Sequence, residues 1–212
     1  MIYLNGKTEK DYKANYIHWE CTPPEPKMEI ATVPLRDGAI NLTSMLSDEV
    51  HFGTRTVTVG LELRGLRSEW PVTYSQILRD LHGRSVTIGR SEDPNWTWEG
   101  WASVGPLEDH GASAGVTITA TVQPYKVTDM IVQTEVLVLS GDVTRTIHCS
   151  YQRGFPTFVT DAQGMTVTYK GETWTLPVGA SDPYGLHFEE GDNEIALHGA
   201  GNLTITVKGG SL

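Results

Sequence analysis

PVTYSQILRDLHGRSVTIGRSEDPNWTWEGW, residues 71–101, holds the only convincing helix in a sequence that otherwise reads as strands and turns. Tyr74, Ile77, Leu78 and Leu81 recur at the i, i+3, i+4, i+7 spacing of one helical face. Thr73 is placed to act as N-cap with Gln76 as its capping-box partner, and Val72 and Ile77 stand where a hydrophobic staple packs. His82 falls in the last turn and Gly83 just beyond it, where a chain leaving a helix often needs a left-handed residue. The spacing predicts a short helix with a sharp stop. Residues 85–89 then read as a strand, Glu92-Asp93-Pro94-Asn95 as a turn, and Trp96 and Trp98 as same-face residues of the next strand.

Outward from this stretch the period is two. Val57, Val59, Leu61 and Leu63 alternate with Thr56, Thr58, Gly60 and Glu62, and Val116, Ile118, Ala120 and Val122 alternate with Thr117, Thr119 and Thr121. Both predict strands with one buried and one wet face. Residues 105–115 read as a polar loop, and residues 127–133 as the passage to a second set of strands. Short strands at 147–151, 165–169, 174–176, 186–188, 195–197 and 203–207, with turns at 154–156 and 189–193 among others, have the spacing of a small β-sandwich. The fold class expected is mostly β: a β-sandwich carrying one α-helix over residues 1–133, then a second β-sandwich over residues 134–212.

The 212 residues carry 16 Lys and Arg against 26 Asp and Glu, a formal net charge of -10. Affinity for phosphate rests on Lys and Arg contacts, so a firm grip on nucleic acid is not expected, whereas an acidic wall suits DNA that must slide past without sticking. The first residues contain no apolar run of the length of a secretory signal, and no later segment approaches a membrane span. The expectation is a chain made in a cytoplasm, without membrane insertion, whose Cys21 and Cys149 are thiols rather than a disulfide.

No catalytic or metal motif is present. His51, His82, His110 and His148 lack Cys or His neighbours at ligand spacing. Adjacent carboxylates such as Glu92/Asp93, Glu108/Asp109 and Glu189/Glu190 sit in turn-like polar context and rarely converge on one bond. No cofactor is implied. Trp96, Trp98 and Trp101, and in the second half Trp174 with Tyr184, are candidates for a subunit interface or for stacking on sugar rings, against the plainer reading of core packing.

Several weak motifs recur in a telling order. Val33-Pro34-Leu35-Arg36-Asp37-Gly38 is followed by Leu81-His82-Gly83-Arg84 at the helix end and Pro124-Tyr125-Lys126 after a strand. Gly191-Asp192-Asn193 and Gly199-Ala200-Gly201 then precede the last strand. In this order over nearly the whole chain the set resembles the distal tail proteins of long non-contractile-tailed bacteriophages and prophages. Leu35 stands where that family commonly has Gly.

The resemblance implies a structural, non-enzymatic protein of the virion tail tip or baseplate. It would form a homo-hexameric ring between the tail tube protein and the tail-associated spike or lysin, with receptor-binding parts for host attachment outside and DNA only passing through the lumen. Residues 1–133 would form the ring, or belt, and residues 134–212 a galectin-like or carbohydrate-module-like sandwich pointing outward. The long alternating strands near residues 54–66 and 116–122 suggest that the assembling edges lie in the first part. The competing expectation is a stand-alone carbohydrate-binding β-sandwich protein.

Overall fold

The structure, a computed structural model, describes residues 1–32, 34–35, 37–43 and 50–212, and the side chains of Asp129 and Val132 fall outside the description. The chain divides into two compact units, Met1–Pro94 with Trp98–Pro124, and Asn95–Thr97 with Tyr125–Leu212.

In the first unit the strands are β1 (Ile2–Leu4), β2 (Lys7–Thr8), β3 (Ala14–Cys21), β4 (Ile30–Ala31), β5 (Ile40–Asn41), β6 (Arg55–Leu63), β7 (Arg84–Arg90), β8 (Asp93–Asp109) and β9 (Ala114–Val122), with helix α1 (Trp70–Leu81) between β6 and β7. Pairing runs β2-β1-β7-β8-β9-β6-β3, while β4 and β5 form a separate ribbon. The alternation read in β6 and β9 is the observed one. Val57, Val59, Leu61, Val116, Ile118 and Ala120 are buried in a single core that also takes Ile2, Leu4, Val86, Ile88 and the helix residues Trp70, Ile77 and Leu81. Thr117, Thr119 and Thr121 point away from it. Neither β6 nor β9 is an edge, because β6 lies between β3 and β9, and β9 between β6 and β8. Their length reflects pairing on both sides, so these two strands offer no edge for assembly.

The helix begins a turn earlier than its sequence pattern predicts. Pro71 occupies the first turn, where its missing N–H costs nothing, and Trp70 is buried, so Thr73 lies inside the helix and faces the core instead of capping it. Val72 is exposed and does not staple. The C-terminus stops as the sequence says: His82 N–H donates to Leu78 O at 2.9 Å, Gly83 takes φ 68, and its N–H donates to Ala102 O at 2.8 Å. The expected turn at 92–95 and loop at 105–115 are largely strand. β8 starts at Asp93, with Asn95 left-handed at φ 72, and runs to Asp109 through a register shift between Val104 and Leu107. Pro106 lies within that shift, the place a strand tolerates proline.

The second unit is built from β10 (Lys126–Ser140), β11 (Val143–Thr160), β12 (Met165–Tyr169), β13 (Glu172–Leu176), β14 (Gly179–Ser181), β15 (Phe188–His198) and β16 (Ala200–Ser211). Most of its strands are longer than the sequence reading made them, while β12 has the bounds read for it. β11 is shared: its first half pairs with β15, its second half with β16 and β14, and the register breaks between Cys149 and Arg153. One sheet is therefore β10-β16-β11-β14 and the other β11-β15-β12-β13, with Leu139, Phe158, Leu203 and Ile205 meeting Ile147, Val167, Ile195 and Leu197 in one core. Gly154-Phe155-Pro156 and residues 189–193, both read as turns, lie inside β11 and β15 because their glycines serve bulges and close contacts rather than chain reversals. β10 begins at Lys126, so residues 127–133 are already strand.

Candidate functional site

The named motif residues are joints of the fold. His82 accepts a hydrogen bond from Val104 N–H on Nδ1 at 3.0 Å, tying the helix end to β8 beside its register shift. Pro124 closes the first unit, its carbonyl accepting from Arg55 at 3.1 Å. Tyr125 opens the second, with its ring 6.4 Å from that of Phe155, and Lys126 lies 5.0 Å over the ring of Trp96. Pro34, Asp37 and Gly38 lie in turn and bend backbone, where Leu35, fully exposed, holds φ 65, a left-handed conformation that glycine adopts more readily. Arg36 lies outside the described residues.

Asn193, 3% exposed, carries the motif around Gly191. Its Oδ1 accepts from Tyr169 Oη at 2.6 Å and Glu189 N–H at 2.9 Å, and its Nδ2 donates to Glu189 O at 2.8 Å and Gly191 O at 3.0 Å. One side chain satisfies the backbone of a bulge whose Gly191 has φ 99. Asn193→Ala leaves those groups unpaired in the core and is expected to lower stability by about 1 to 3 kcal/mol. Urea unfolding reads this, and an unchanged midpoint would show that the bulge does not depend on Asn193. At the hairpin tip, Gly199 has φ 135, and Gly201 (φ 134) leaves room for Asp161, whose carboxylate accepts from Asn202 N–H at 2.7 Å. Hydrogen bonds from Asn202 hold the Asp161 carboxyl below its ordinary value.

The aromatic candidates do not share one platform. Trp98 is buried, 5.3 Å from Trp19. Trp96 belongs to the second unit and stands edge-on to Tyr151 at 5.4 Å. Trp101 is 58% exposed and points away from the core, in a cross-strand row with Thr121 and Thr56. Trp174 and Tyr184 are neighbours, with Trp174 Nε1 donating to Tyr184 O at 3.0 Å and the Tyr184 ring in solvent.

Sequence reasoning missed a cationic depression of about 350 Å³ beside the helix end, lined by Asn5, Lys7, Tyr12, Arg79, Asp80 and Arg84. Lys7 Nζ donates to Asp80 Oδ2 at 2.7 Å, and this bond, supported by the Lys7 charge, holds the Asp80 carboxyl below its ordinary value. Burial, then the Asp80 charge, push the Tyr12 phenol up to about 12, so it remains a neutral donor, 3.4 Å from Asp80. The lining comes from residues 5–12 and 79–84, whose four charged members each look like an unremarkable surface charge in sequence. Among the described residues no group of three or more His, Cys, Asp or Glu is arranged to hold a metal ion, and no helix is long and apolar enough to cross a membrane. Cys21 and Cys149 are free thiols in different units.

No protein-family profile matches the sequence, and no curated protein matches it. Among solved structures, the crystal structure of the Dit protein (gp 19.1) of phage SPP1, a paradigm of the hub adsorption apparatus in phages that infect Gram-positive bacteria, matches with a TM-score of 0.60 and 15% sequence identity. The match covers 100% of this chain and 98% of that one, so the fold of this chain, over its whole length, is similar to that of SPP1 Dit.

Proposed function

We propose that the chain is a structural protein of a phage tail tip. In this reading it is a subunit of a hexameric ring that joins the tail tube to the spike or lysin and to host-recognition parts, and lets DNA pass. The observation that carries this is the end-to-end likeness to SPP1 Dit. The ordered motifs support it independently, since they rest on the sequence alone. The net charge of -10 suits a wall past which DNA slides. Residues 1–133 form the ring in this reading, the sandwich of residues 134–212 faces outward, and no chemistry is assigned.

Light scattering on the full chain is expected to give about six times the 23.3 kDa of the monomer. A monomer at tens of micromolar would sink the ring. The exposed Tyr184 beside Trp174 favours one second reading, a stand-alone carbohydrate-binding protein. A monomer that binds a glycan array and loses that binding on Tyr184→Ala would establish it.

A further inference from the structure

Resting on the ring reading, we propose that the depression lined by Asn5, Lys7, Tyr12, Arg79, Asp80 and Arg84 is a docking site for a carboxylate-bearing surface of a second copy of the chain. It is thereby one half of the head-to-tail contact.

The argument begins with charge. The protein carries ten more acids than bases, yet this depression holds three cations and one carboxylate. Asp80 is already committed to Lys7 and Tyr12. Arg79 only grazes Asp80, Nε to Oδ1 being 3.5 Å, and among the described residues no carboxylate pairs with Arg84. Two guanidinium groups are thus left facing solvent. Planar guanidinium groups match carboxylates with paired, directional hydrogen bonds.

The partner must be acidic, and an acidic surface is what a second copy offers. A nucleic-acid backbone fits less well, because three cations, one of them already paired with Asp80, are few against a long polyanion on a protein of net charge -10. Position favours a head-to-tail contact too. The helix residues Trp70, Ile77 and Leu81 and the inward residues of β9 share one core, so the helix side and the outer Thr117, Thr119 and Thr121 face lie on opposite sides of the first unit. A closed ring needs two different surfaces on one rigid body, and a cationic one on the helix side supplies the first of them.

The test is the mass of the full-length protein carrying both Arg79→Glu and Arg84→Glu, measured by light scattering beside wild type and an Arg145→Glu control. Arg145 is exposed in the second unit and among the described residues its side chain bonds only Thr144 O, so its reversal changes net charge without touching the depression. The expected result is an oligomer for wild type and control and a folded 23.3 kDa monomer for the double variant, with Arg79→Gln and Arg84→Gln together giving an intermediate mass. An oligomeric double variant beside an oligomeric wild type overturns the proposal and leaves the ring standing. A monomeric wild type overturns both. A double variant that keeps its mass but loses retention of double-stranded DNA assigns the depression to nucleic acid and likewise overturns the proposal.

Discussion

Gly100→Ala is expected to cost about 3 kcal/mol or more, at the upper end of what overpacking does to a core. Gly100 lies in β8 opposite Val122 of β9, and a Cβ built on it falls 2.0 Å from Thr121 O and 2.6 Å from the Val122 Cα. Those are backbone atoms. Relief requires β9 to move, and β9 is held on its other side by β6 along nine paired positions. Gly115→Ala is the matched comparison. There the added carbon meets His110 Nε2 at 2.8 Å, the far end of an exposed side chain that can swing aside, so the cost should stay within about 0.5 kcal/mol, as for ordinary surface changes. Urea unfolding followed by tryptophan fluorescence measures both. Equal midpoints for the two variants would show that β8 and β9 do not approach as described.

Leu81→Ala should cost about 2 to 5 kcal/mol, since Leu81 is wholly buried and closes the core between α1 and the sheet. Leu81→Glu should be worse, because the carboxylate would be buried without a partner. The position is unforgiving for a second reason: the next two residues, His82 and Gly83, fasten the helix to β8 through Val104 N–H and Ala102 O. Displacing Leu81 strains both ties. The first unit should then expose Trp98, now 6% exposed, and its emission should shift to longer wavelength. Chemical denaturation showing both variants within error of wild type would mean that the helix is packed elsewhere.

What was legible in the sequence was what depends on neighbours along the chain. Alternation in β6 and β9, the helical face ending at Leu81 and the stop at Gly83 are all set within a few residues. What was not legible depends on who sits across a sheet. Gly191 and Gly154 look like turn residues because bulges and turns draw on the same glycine, and only the partner strand decides between them. Pro71 and Trp70 outweighed Thr73 as the helix start because burial of Trp70 is a tertiary fact. The three tryptophans of 96–101 looked like one group because they are close in sequence. Alternation and the small-unit boundary at Asn95–Thr97 sent them to three environments. The cationic depression had no local signal at all, being assembled from segments some seventy residues apart.

The residues Asn95–Thr97 belong to the second unit while the chain on both sides of them belongs to the first. Thr97 and Trp96 pair with Val127 and Thr128 of β10, and Trp96 is covered by Tyr151 and Lys126. The two units are therefore not consecutive modules, and no single crossover in a gene exchanges one of them intact. A recombinant joined at Pro124 would inherit a foreign sandwich facing a native Trp96, an unmatched aromatic where a partner is required. Lineages that exchange the second unit would have to carry this tripeptide along with it, or conserve the few residues that cover it, so inheritance at this place should run in linked pairs rather than in blocks.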